Sequence, residues 1–233
     1  MSAERQYHHV VYQLRIIEQI HRKLKDGSDQ IISLSIHNLP FSSMNCHTQK
    51  LFDDVSNRKF DDLLNDLEYD DIYINASDDE GKTVLHYASI HNWNSILLKV
   101  IENFDVNVNA QDNSGMTPLH YAASRTNSEC MKRLLAHKNI KVNIQDPHGK
   151  TALHYTINNN DIDATELLLA HKDINLNLQN NAGLTPLHTS IDRCRLDLLQ
   201  TLLSCEDMEM NIEGNEGMTL LHHAIETNHP ESV

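Results

Sequence analysis

Sixteen histidines and four cysteines in 233 residues make metal ligation the first chemistry to test. Five of the histidines fall in phase: His86, His120, His154, His188 and His222, each 34 residues after the last. Equal spacing assigns one to each structural unit. Packed helices stand roughly 8 to 10 Å apart, whereas zinc holds its ligands at about 2 Å. The phased histidines therefore cannot share an ion, and no metal site is predicted. Their expected task is a ring N–H hydrogen bond to the neighbouring unit, holding adjacent units in register. The pairs His8-His9, Cys46-His47 and His222-His223 point in different directions on any regular element. Cys46, Cys130, Cys194 and Cys205 show no C-x-x-C spacing, so free thiols in a reduced compartment are expected. Cys194 and Cys205 read as residues of the fifth unit's helices. The glycines form neither phosphate-cradling pattern, and neither G-x-S-x-G nor H-E-x-x-H occurs. No catalytic residue and no cofactor are predicted.

The elements that carry these histidines follow from the glycines. Gly81, Gly115, Gly149, Gly183 and Gly217 share the 34-residue interval. Asp78, Asp112, Asp146 and Asn180 stand three residues before a glycine, the preference of a type I turn at a hairpin tip. Thr83, Thr117, Thr151, Thr185 and Thr219 stand two residues after one, each next to an apolar run. A threonine there caps a helix by accepting an orphaned amide, and Pro118 and Pro186 occupy the first helical position, where a missing N–H costs nothing. A helix is thus predicted to start at every threonine. After a polar turn, leucines at helical spacing (Leu63 and Leu67, Leu97 and Ile101, Met131 and Leu135, Leu199 and Leu203) predict a second helix. Asn75, Asn109, Asn143, Asn177 and Asn211 recur in the return loop.

The repeated G-x-T-P-L-H-x-A core, complete from Gly115 to Ala122, resembles the ankyrin repeat. The resemblance implies an all-α solenoid of helix-turn-helix pairs joined by hairpin-like loops. It covers residues 81–233, read as four full units and an incomplete last one. A degenerate acidic unit over 47–80, with Phe52 in the histidine's place, reads as a terminal cap. The usual period is about 33 residues, and the extra residue is placed in the return loop. Residues 1–46 do not repeat. Val10, Val11, Leu14, Ile17, Ile20 and Leu24 predict an amphipathic helix from Gln6 to Lys25, followed by an extended stretch, Gln30 to His37. Val233 falls near the beginning of a second helix, which leads to the expectation that the chain is a fragment or that another surface covers its end.

Function in such a stack is read from positions that the framework leaves free. These are Asp79, Glu80 and Lys82, then Asn113, Ser114 and Met116, then Pro147, His148 and Lys150, then Asn181, Ala182 and Leu184. Trp93 joins them because a polar turn position carries the only tryptophan. Tyr87, Tyr121 and Tyr155 read as a packed stripe. Thirty-three acidic against nineteen basic residues give a net charge of −14, which repels nucleic acid and anionic membranes. Residues 47–80 hold eleven acidic and three basic side chains, and Asp61 and Asp62 are singled out as a grip for a basic segment. The expected function is a non-enzymatic protein–protein interaction module, whether scaffold, adaptor or inhibitor. One branch of the resembling family masks basic nuclear-import segments with an acidic array. The alternative is the targeting half of a larger enzyme or bacterial effector. Self-association through the N-terminal helix and an intracellular location, cytoplasmic or nuclear, complete the expectations.

Overall fold

The computed structural model describes residues 46–69, 72–103, 105–214 and 217–226. The predicted helix from Gln6 to Lys25 and the stretch from Gln30 to His37 lie outside the described residues. Eleven helices are described: α1 (Cys46–Asn57), α2 (Phe60–Asp66), α3 (Val84–His91), α4 (Asn94–Ile101), α5 (Pro118–Ser124), α6 (Ser128–Leu135), α7 (Ala152–Asn158), α8 (Ile162–Leu169), α9 (Pro186–Asp192), α10 (Leu196–Leu203) and α11 (Leu220–Glu226). Among the described residues there is no strand, only an isolated antiparallel bridge between Ser77 and Thr83.

The phased threonines do what their position predicts. Thr83, Thr117, Thr151 and Thr185 have extended backbones, and a helix begins at the next residue. The first unit lacks both glycine turn and threonine cap. There α1 begins at Cys46 and runs twelve residues, longer than the seven or eight of each later first helix. Each tip closes as a tight turn, the amides of Gly81, Gly115, Gly149 and Gly183 reaching the carbonyls of Asp78, Asp112, Asp146 and Asn180 at 2.8 to 3.0 Å.

First helices pack on first helices (α3, α5, α7, α9, α11) and second helices on second helices (α2, α4, α6, α8, α10). Each pair alone leaves an apolar side open, so burial comes from stacking. Leu85, Leu119, Leu153 and Leu187 of the first helices and Leu97, Met131, Leu168 and Leu202 of the second are buried in one core. Fully burying one such side chain contributes about 1.5 to 3 kcal/mol. At the last unit Leu221, in phase with Leu187, and Ile225, in phase with Ile191, are 56% and 63% exposed. In the first unit Lys50 bridges two buried carboxylates, Asp54 at 3.3 Å and Asp66, and Lys59 reaches Asp54 at 3.4 Å. Part of the acidic block is therefore internal structure.

The tips stack so closely that a methyl group has no room. Gly149 has φ +74°, and a Cβ there would lie 2.7 Å from the Asn181 amide nitrogen; at Gly217, with the same φ, the nearest atom is 3.8 Å away. The left-handed backbone alone costs a side chain about 1 to 2 kcal/mol. Gly149→Ala is therefore expected to lower the unfolding free energy in urea by about 2 to 4 kcal/mol, and Gly217→Ala by only about 1. Equal losses would contradict the packing argument.

Candidate functional site

Three hydrogen-bond ladders run along the stack, and together they decide which side chains remain for a partner. In the first, the imidazole closes its own helix cap. The Thr83 amide donates to His86 Nδ1 at 2.9 Å, and the same bond recurs at 3.1 Å in Thr117 to His120 and Thr151 to His154. An accepting Nδ1 leaves the proton on Nε2. That N–H donates across the unit boundary at 3.1 Å: His86 to the carbonyls of Ala110 and Met116, His120 to Lys150, His154 to Leu184. The predicted register bond is present, and it also selects the tautomer. His188 differs, its ring meeting His223 edge-on at 5.8 Å.

The second ladder is built by the recurrent asparagines. Asn75 donates to the Asp105 carbonyl at 2.8 Å and accepts the Asn107 amide at 2.6 Å. Asn109, Asn143 and Asn177 repeat this on the loops at 139–141, 173–175 and 207–209. A side-chain amide is needed because one group must both donate and accept.

In the third, Oδ1 of Asp78, Asp112 and Asp146 accepts two amides of its own tip, while Oδ2 accepts the hydroxyl of Tyr87, Tyr121 or Tyr155 at 2.5 to 2.7 Å. The tyrosines thus form more than the packed stripe predicted. In the next unit Thr189 replaces the tyrosine and Asn180 replaces the aspartate, whose Oδ1 still takes the two tip amides. This paired change is the signal in the sequence that could have shown the contact.

The predicted partner-facing residues fall into two groups. Asn113 clamps its tip to the one before, its amide reaching the Glu80 carbonyl and its side chain the Asp79 carbonyl, both at 2.9 Å. Asn181 does the same to His148 and Pro147 at 2.8 and 2.7 Å. Lys82 pairs with Glu80, Lys150 lies 5.8 Å above the Tyr155 ring, the Met116 sulfur lies 3.6 Å from the Tyr155 hydroxyl oxygen, and Leu184 is half-buried. Asp61, Asp62, Asp79, Glu80, Ser114, Pro147, His148 and Ala182 are exposed. The tips bring the four triplets into one row; Asp61 and Asp62 stand in the first turn of α2 instead. Trp93 is half-buried at the start of α4, meeting Phe60 edge-on and His91 face to face, each at 4.9 Å.

All four cysteines are free. Cys130 is buried, and burial, with the Glu129 charge, pushes its thiol up to about 11. Cys194 and Cys205 correct the helix assignment made for them. Cys194 is the left-handed residue of the turn between α9 and α10, at φ 52°, and Cys205 follows α10. Their positions match Asn160 and the Ala170-His171 stretch, where the chain must leave a helix. Among the described residues no group of three or more metal-ligating side chains converges, and no helix is long and apolar enough to cross a membrane.

Stacked helix pairs, stacked tips and capped histidines define a repeat solenoid. A family model described as ankyrin repeats matches residues 55–146, 95–180, 138–213 and 174–233, and the chain belongs to the ankyrin repeat family. Its fold is similar to the crystal structure of EF0377, an ankyrin repeat protein, with TM-score 0.73 and 22% sequence identity over 79% of this chain and 94% of that one. No curated protein matches. Ankyrin repeats are generally protein–protein interaction modules.

Burial holds the imidazoles of His86, His120 and His188 below their ordinary range and that of His154 down at about 4. The unfolded chain therefore takes up protons first on acidification. The stability this withholds is intact above pH 6.5, the ordinary value, and is lost toward about 4 for His154. Each such histidine adds a slope of up to about 1.4 kcal/mol per pH unit. Urea unfolding should give a plateau from pH 7 to 8 and a steep fall between pH 6 and about 4.5. A flat profile across that range would contradict the neutral-imidazole ladder.

Proposed function

We propose that this chain is a non-enzymatic recognition module that captures a basic segment of another protein along its row of tips, starting from the acidic first unit. The observation that carries the reading is how the carboxylates divide. Asp54, Asp66 and Asp78 are committed to internal ion pairs and turn bonds, whereas Asp53, Asp61, Asp62 and Asp79 remain exposed in the same unit, with Glu68 and Glu80 exposed in surface pairs with Lys99 and Lys82. Exposed like charges with few basic neighbours favour a cationic ligand and speed its encounter. Ser114, Pro147, His148 and Ala182 continue the row with small or neutral side chains, which suits an extended segment lying across several units. The ladders consume the polar groups of the framework, which supports a reading of binding without chemistry.

A fluorescein-labelled lysine-rich peptide tests this. Its affinity is expected to fall at least about tenfold when salt rises from about 0.05 to 0.5 M, and Asp79→Lys with Glu80→Lys, on the acidic tip itself, should weaken it by a similar factor at low salt. Binding that ignores salt, or that survives the double charge reversal, would overturn the reading.

A further inference from the structure

The turns between the helices of each unit form a second edge, at the opposite end of the first helices from the tips. They stack in register: Asn127 donates to the Ser89 carbonyl at 2.6 Å, and Asn159 to Ala123 and Ser124 at 3.1 and 3.0 Å. On the first three turns this edge carries Arg58, Phe60, His91, Trp93 and Arg125. Phe60 is 44% exposed, and His91, Arg58 and Arg125 are exposed. Phe60, Trp93 and His91 make one continuous ring surface through their contacts at 4.9 Å. Among the described residues neither Arg58 nor Arg125 forms an ion pair, although acidic residues outnumber basic ones in the chain. Burial first, then the charges of Arg58 and Arg125, hold the His91 imidazole below its ordinary value. Asp61 and Asp62 follow Phe60 by about 100° and 200° around α2, so their carboxylates leave from other faces of the helix.

We propose that this arginine-flanked aromatic platform docks an acidic linear segment of a partner protein, carboxylates on the two arginines and an apolar or proline ring stacked between them. Exposed aromatic surface beside guanidinium groups is what interface centres are enriched in, and unpaired guanidinium groups match carboxylates in charge and shape. Two unit steps of roughly 8 to 10 Å separate Arg58 from Arg125. At about 3.3 Å per extended residue, the carboxylates of the ligand should stand about six residues apart. A polynucleotide would also stack, but the net charge of −14 opposes a long polyanion far more than a short segment with two carboxylates. This surface is distinct from the tip row and its ligand has the opposite charge, so the two readings fail separately.

The test uses the full chain and a labelled peptide of about twelve residues with glutamates about six apart flanking Pro-Phe. Trp93, the only tryptophan, reports directly. Saturable quenching of its emission is expected, with a matching rise in peptide anisotropy. Arg58→Asn with Arg125→Gln, and separately Phe60→Ser, should each weaken anisotropy binding at least about tenfold with far-UV dichroism unchanged, while Asp61→Lys with Asp62→Lys should not weaken it. Equal binding of the peptide with lysines in place of glutamates, tighter binding of oligothymidylate, or indifference to the arginine changes would overturn the inference. So would absence of binding with Trp93 emission already shielded from iodide, since the platform would then be covered by the chain itself.

Discussion

A neutral imidazole bonded on both edges is the constraint on which this stack depends. Nδ1 accepts the amide that opens its own first helix, and Nε2–H reaches a carbonyl in the next unit's hairpin, so a helix cap and a neighbour's loop are fixed by one rigid ring. The ring offers an acceptor and a donor on opposite edges of one rigid plane. Burial keeps the ring uncharged, and the missing charge is what allows Nδ1 to accept. Each unit is therefore completed by its neighbour, which makes nearest-neighbour coupling the source of the solenoid's order.

The other ladders extend this coupling to both sides of the ring. The asparagines tie return loops together, and the aspartates hold each tip in shape while anchoring a tyrosine. Burial works against the Asp146 carboxylate, but the Tyr155 hydroxyl and the tip amides outweigh it and hold its pKa below the usual range. The same contact, after burial, raises the tyrosine pKa values. Where the tyrosine is lost, at Thr189, a carboxylate oxygen would have no hydroxyl to accept, and the neutral Asn180 stands there. The tip-to-tip clamp is uneven. Asn113 and Asn181 supply it, but between them the position is Pro147, which has no amide proton and lies against Gly115 instead. Among the described residues no hydrogen bond joins that pair of tips.

Because the framework uses its polar groups internally, the chain is left with two edges of different chemistry. The tips begin with exposed carboxylates and continue with small neutral side chains. The inter-helix turns begin with arginine and stacked rings. Ankyrin repeats are generally protein–protein interaction modules, and the stacking holds both edges at a fixed spacing.

Much of the fold was legible in the residues. Every unit meets the same surroundings, so selection for a turn, a cap and a buried leucine leaves the same letters at one interval, and the glycines, threonines and leucines could be read as turns, helix starts and core. The phased histidines could be read as register bonds because one donor per layer leaves little else for them to do. Most other side-chain contacts were harder to read. Only the paired change to Thr189 and Asn180 hints in sequence that Tyr121 reaches Asp112, and nothing there shows that the Asn113 side chain is already taken by the Asp79 carbonyl, since both depend on how far one segment folds toward another. Cys194 and Cys205 looked helical because periodicity says which residues face the core, not where a helix ends. The surface patch of Arg58, Trp93 and Arg125 was invisible for the same reason: those residues share no interval, and only stacking places three successive turns side by side.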